Sequence, residues 1–285
     1  MVSRVVKQKI RGLKTGWISS GNKNGPILLL LHGYPDTPES WDYQIDHFEK
    51  NFHIVAPYTR GARPSESTSD LSRYSLESTV LDLLEILKIE SGSKPKDIYC
   101  IGHDMGTLQA WALCPLLGKQ IKALVIINGL SIKQALSRIT SVSQLKKSWY
   151  IYLLLLPIVP KVLAQRFPAG LLKFAYHLGR LPSKNRAKLS SSITGVVDPI
   201  KQYKSVARNL PALVTEMALG PPTKINAPVM IVYGNEDPFL NLPKKDEFLK
   251  EARDPTIRII EAGHWPQREH PVLLNTLLED FFKCH

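Results

Sequence analysis

The sequence predicts an α/β fold: a mostly parallel sheet flanked by helices, with a helical lid inserted after the sixth strand. Three observations carry this. Continuous apolar runs of strand length alternate with amphipathic runs of helix length up to residue 127, and again from residue 228. Between them, from about 129 to 223, the β signal lapses and the chain reads as helical and basic. The pentapeptide Gly102-His103-Asp104-Met105-Gly106 joins a strand-like run to a helix-like one through a turn of small residues. These place a core domain over 1–130 and 224–285 and a helical lid over 131–223, and 285 residues suffice for one large domain with an insertion.

Each element has its own signal. Val5–Ile10 and Leu13–Ser19 read as an antiparallel strand pair. Pro26–Leu31 is apolar throughout, as in a strand buried on both faces. Thr37 is placed to cap a helix towards Lys50, and Asn51–Ala56 is the next strand. Ser75 caps an amphipathic helix through Ile89. Asp97–Ile101 and Thr107–Leu117 flank the pentapeptide, and Ile121–Ile127 is the sixth strand. After the lid, a strand over Pro228–Tyr233, a helix over Lys244–Ala252, a strand over Thr256–Ile260 and a helix over Pro271–Cys284 complete the chain.

Composition narrows the class. The net charge of +12 is concentrated: Ser131–Leu210 carries fourteen Lys or Arg against one acid, Asp198. Such a segment is a solvated face, or it meets an anionic substrate or an anionic membrane surface. No nucleic-acid-binding motif accompanies it. The most lipid-like stretch, Trp149–Ala164, is short and broken by Pro157 and Pro160, so a transmembrane helix is not expected. No signal-peptide pattern opens the chain, and three cysteines without metal-ligand spacing point to a reduced, cytoplasmic setting. No metal or organic cofactor is implied, and nothing sets an oligomeric state.

The chemistry sits at the carboxyl ends of predicted strands, where open α/β sheets place their sites. With serine at its centre the pentapeptide would suggest an esterase; with Asp104 it suggests a carboxylate that attacks carbon and becomes an ester itself. An aspartate there can also be a plain helix N-cap. In Leu31-His32-Gly33-Tyr34-Pro35, the N–H of Tyr34 paired with that of Met105 would form a two-donor oxyanion hole. Asp237, in Tyr233-Gly234-Asn235-Glu236-Asp237-Pro238, is the candidate acid, with Glu236 as its rival. His264, in Gly263-His264-Trp265-Pro266, is the candidate base. The order nucleophile, acid, histidine matches a known catalytic arrangement. His103 reads as packing under the turn.

On these residues, with the loop Arg60-Gly61-Ala62-Arg63-Pro64-Ser65, the chain resembles the α/β-hydrolase superfamily over nearly its whole length. Within it, the chain resembles the epoxide hydrolases that share their fold with haloalkane dehalogenases. The resemblance implies a cis Tyr34–Pro35 peptide and two lid tyrosines that hydrogen-bond an epoxide oxygen. Tyr150 and Tyr203 match those positions, with Tyr152 as a rival to Tyr150. The expected reaction converts a small lipophilic epoxide and water into a vicinal diol through an ester on Asp104. Trp149, Tyr152 and Pro35 are expected to contact substrate. Leu153–Leu156, Phe167, Phe174 and Tyr176 suggest an apolar channel, or simply helix packing. Met105 stands where haloalkane dehalogenases carry a halide-binding tryptophan, and Arg63 where relatives often have a second glycine. A dehalogenase-like hydrolase and a non-catalytic binding protein of this fold remain the alternatives.

Overall fold

A computed structural model describes residues 4–138, 141–156, 162, 166, 168–183, 185, 200–219 and 224–285. Pro157, Pro160, Phe167 and Asp198 lie outside these residues. The first hairpin pairs β1 (Arg4–Ile10) with β2 (Leu13–Gly21). Its two-residue turn, Arg11-Gly12, has both φ angles positive (49° and 88°), the conformation that matches strand twist in tight hairpins. There follow β3 (Ile27–Leu31), a 3₁₀ turn over Pro38–Trp41, α1 (Asp42–Phe48), β4 (His53–Pro57) and α2 (Leu76–Ser91). Next come β5 (Ile98–His103), α3 (Met105–Leu117) and β6 (Ile121–Ile127).

Between β6 and β7 lie α4 (Ile132–Ser137), α5 (Val142–Lys147), α6 (Trp149–Leu155), α7 (Pro168–Leu178) and α8 (Ile200–Leu219). The chain ends with β7 (Val229–Gly234), α9 (Lys245–Leu249), β8 (Thr256–Ile260), α10 (Pro266–Glu269) and α11 (Pro271–Lys283).

The eight strands form one sheet in the order β1-β2-β4-β3-β5-β6-β7-β8, antiparallel at β1, β2 and β4 and parallel from β4 to β8. Because β4 and β5 lie on opposite sides of β3, the chain reverses direction of progress there. That leaves a crevice beyond the carboxyl ends of β3 and β5. Period-two alternation splits the core. Leu29, Leu31, Cys100, Ile126 and Ile231 face α2 and α3, whereas Leu28, Leu30, Ile101, Val125 and Val232 face α1 and α11. All ten are buried, so truncating any one of the leucines to alanine costs about 2–5 kcal/mol.

Caps agree with the sequence in part. The Ser75 hydroxyl accepts from the Ser78 N–H at 3.1 Å and starts α2 as expected. Ser131 opens α4 with a reciprocal capping box to Gln134. Thr37 is different. Pro38 opens a 3₁₀ turn, the Thr37 hydroxyl caps nothing, and α1 stops at Phe48. The helix expected over Lys244–Ala252 is confined to α9, because Ala252 instead forms a parallel bridge with Ile225.

Candidate active site

Asp104 follows β5 with φ 51° and ψ −122°, an unfavourable backbone for a residue with a Cβ. Its neighbours make the turn possible. A Cβ on Gly33 would overlap the Asp104 carboxylate, and one on Gly106 would overlap the Leu31 carbonyl. Although Asp104 occupies the N-cap position of α3, its side chain makes no capping bond. Instead Oδ1 accepts from the Tyr34 N–H at 2.9 Å, and the carboxylate also accepts from the Met105 N–H. The Tyr34–Pro35 peptide is cis, as the resemblance implied.

The other carboxylate oxygen, Oδ2, lies 3.5 Å from His264 Nε2. His264 Nδ1 donates to Asp237 Oδ2 at 2.8 Å. Asp237 is further held by the N–H groups of Phe239 (2.7 Å) and Leu240 (3.1 Å). Glu236 is turned outward to Arg180, so Asp237 is the acid at the histidine.

The charges stabilise one another. Burial alone would depress His264, but the carboxylates of Asp237 and Asp104 outweigh it and raise its pKa to about 10. Burial likewise works against ionised Asp104 and Asp237, yet the imidazolium and the backbone donors hold both below the usual carboxylate range. His103 differs. Burial, then the charge of His264, lowers it to about 3, and neutral His103 donates from Nε2 to the His264 carbonyl at 2.7 Å.

Tyr150 on α6 and Tyr203 on α8 line the cavity at Asp104 and hydrogen-bond each other. Burial, then the negative charge of Asp104, raises both phenols well above the ordinary tyrosine value, so both are protonated donors. Their rings pack on site residues: Tyr203 lies edge-on to Tyr34 at 5.6 Å, and Tyr150 edge-on to Phe239 at 5.0 Å.

Two chambers meet at Asp104. The smaller is lined by Pro35, Trp149, Leu172, Phe174, Phe239 and His264, among others. The larger runs past Met105, Leu108, Leu136, Tyr152, Leu155 and Val206. Tyr150 borders both. Thus Trp149, Tyr152 and Pro35 all line cavity, while Tyr176 does not. It is packed on Trp265 and donates to Asp36 at 3.0 Å.

Several residues at this site were not singled out from sequence. Asn128, directly after β6, donates from Nδ2 to Asp237 Oδ2 (2.6 Å) and to the Gly263 carbonyl (3.0 Å), and its Oδ1 accepts from the Gly234 N–H (2.9 Å). Lys147 and Gln144 on α5 donate to the carbonyls of Asp237 (2.7 Å), Leu240 (2.7 Å) and Phe239 (2.8 Å), tying α5 to the acid's loop. Asp36 accepts from Trp265 Nε1 at 2.8 Å, and burial raises its pKa to about 6. The only prior hint was position: each is a polar residue at the end of an apolar strand or beside a motif. Among the described residues, no group of His, Cys, Asp and Glu could hold a metal ion.

Residues 26–271 match a family model described as alpha/beta hydrolase fold. Epoxide hydrolase 2 of Caenorhabditis elegans is 25% identical over 96% of this chain and 78% of its own length. For epoxide hydrolase 3 of Mus musculus the identity is 26%, over 92% of this chain and 72% of its own length. Among solved structures, the Bacillus megaterium epoxide hydrolase bound to an inhibitor superposes with a TM-score of 0.83 at 25% identity, covering 98% of this chain and all of that one.

Proposed function

The chain belongs to the α/β-hydrolase fold family, and from that premise we propose that it is an epoxide hydrolase, converting an epoxide and water to a vicinal diol. Residues 131–223 form a lid on a core of 1–130 and 224–285, and the reaction occurs where the two meet. One observation carries the reading: a strained, largely buried carboxylate has one oxygen on the Tyr34 N–H and the other beside the His264 imidazole, facing two protonated phenols.

In the first half-reaction Asp104 Oδ2 attacks an epoxide carbon from the side opposite the C–O bond that breaks. The departing oxygen takes its proton from Tyr150 or Tyr203, so an uncharged hydroxyalkyl ester forms and the phenolate is later reprotonated. Each phenol offers stabilisation comparable to one oxyanion-hole donor, about 3 kcal/mol.

Esterification then changes the histidine. Asp104 loses its charge, one of the two carboxylates that held the His264 proton, so the imidazolium gives that proton up to restore the phenol and becomes a competent base. In the second half-reaction neutral His264, kept in one tautomer by Asp237, takes a proton from water. That water attacks Cγ of Asp104. Oδ1 becomes the oxyanion in place, on the N–H groups of Tyr34 and Met105. The Cγ–Oδ2 bond breaks, and Oδ2 leaves in the diol with the proton returned from His264.

The substrate is lipophilic. Of the lining residues of the larger chamber, the cation Arg138 is committed to Glu247 and to the Asn241 carbonyl at 3.0 Å. Turnover of a panel of styrene-type, terminal alkyl and internal alkyl epoxides to diols tests the reading; inertness towards all of them removes it.

A further inference from the structure

The positive charge of the lid is not spent inside the cavities. Arg138 is paired with Glu247, and Lys147 is turned inward to two carbonyls of the acid's loop. Lys146 on α5 and Lys173 on α7, in contrast, are exposed. Beside them stands apolar surface. Trp149, Tyr152 and Leu156 follow one another at helical spacing along α6 and its end, with 46%, 54% and 44% of their surface exposed, and Phe174 on α7 is 54% exposed. Trp149 and Phe174 also line the smaller chamber, and Tyr152 the larger. A side chain that lines a cavity and stands half in solvent is at its mouth.

We propose that this outer face of the lid docks on an anionic membrane surface, with Trp149, Tyr152, Leu156 and Phe174 in the headgroup region and Lys146 and Lys173 against lipid charge. Trp and Tyr favour that region because their rings are amphipathic, and lysines beside an apolar stripe gain from anionic lipid. A protein partner fits less well, since lysine is depleted from protein interfaces. Of the whole chain's +12, essentially all lies within residues 131–210, the segment to which both lysines belong. Among the described residues no helix is long and apolar enough to cross a membrane, so the contact is peripheral. Its consequence rests on the epoxide reading: a lipophilic substrate dissolved in the bilayer would meet the chamber mouths directly.

Flotation of the intact protein with vesicles of phosphatidylcholine, with and without phosphatidylserine, tests the surface without reference to catalysis. Binding is expected to require phosphatidylserine and to weaken as salt rises. K146Q/K173Q is expected to raise the apparent Kd about twenty-five-fold, at roughly fivefold per lysine, and L156Q by about tenfold. Neither variant touches a cavity wall, so melting temperature and turnover of a small water-soluble epoxide in vesicle-free buffer should stay unchanged. Should the wild type turn over no epoxide, the flotation result still stands on its own. Binding indifferent to vesicle charge, binding undiminished in both variants, or no binding to either vesicle overturns the proposal.

Discussion

Replacing Asn128 with alanine tests how the orienting acid is held. The change removes the 2.6 Å bond to Asp237, the 3.0 Å bond to the Gly263 carbonyl and the 2.9 Å bond from the Gly234 N–H, all buried. A bond to a charged group contributes about 1.5–3 kcal/mol and each neutral one about 1. Asn128 also has φ 39°, a conformation that alanine adopts at about 1 kcal/mol greater cost. The sum, about 4–6 kcal/mol, lowers the melting temperature by roughly 10–20 °C at this chain length. Catalysis should fall less steeply than in a true triad deletion, because Phe239 and Leu240 still donate to Asp237. The hydrolytic step, which needs the oriented His264, should slow by one to two orders of magnitude while ester formation persists. Intact-protein mass spectrometry after mixing with epoxide should then show the alkylated enzyme accumulating. A melting temperature within about 2 °C of wild type, with no accumulated ester, would refute the reasoning.

Other substitutions separate the roles. Y150F and Y203F are each expected to slow ester formation about a hundredfold, and the double variant more, in rapid-mixing measurements; unimpaired alkylation in the double variant contradicts the phenols' role. E236Q alters an exposed pair with Arg180, so diol formation should match wild type and stability should shift by less than about 1 kcal/mol. D237N, by contrast, should cost kcat about 10⁴-fold. The raised pKa of His264 predicts a stability term fully present below pH 6.5 and lost as pH rises through about 10. Urea midpoints should therefore fall over that window, and D104N, which removes one of the two carboxylates, should shift the loss to lower pH; an unchanged profile in D104N breaks the coupling.

Much of this site was legible because its parts are local. Gly33, Gly102 and Gly106 announce close backbone approaches, and each contact they permit lies within the turn or on the adjacent strand. The strands β3 and β7 could be read from apolar runs of strand length, as expected where both faces are buried. What stayed hidden is tertiary. Asn128 meets Asp237 across 109 residues, and Asp36 meets Trp265 across 229, with no spacing that marks either. Thr37 reads as a cap because Glu39 and Ser40 follow it in a first turn, yet Pro38 sets a 3₁₀ turn that leaves its hydroxyl without a bond. Glu236 and Asp237 are chemically alike, and only the direction of the loop after β7, pinned by Gln144 and Lys147, distinguishes them.

The central claim is that Asp104 carries the substrate as an ester and gives up one of its own oxygens. With enzyme in excess over epoxide in heavy-oxygen water, the diol of that single turnover should be largely unlabelled, and the label should appear in the peptide that contains Asp104. A fully labelled first diol, with no label in that peptide, would contradict the account.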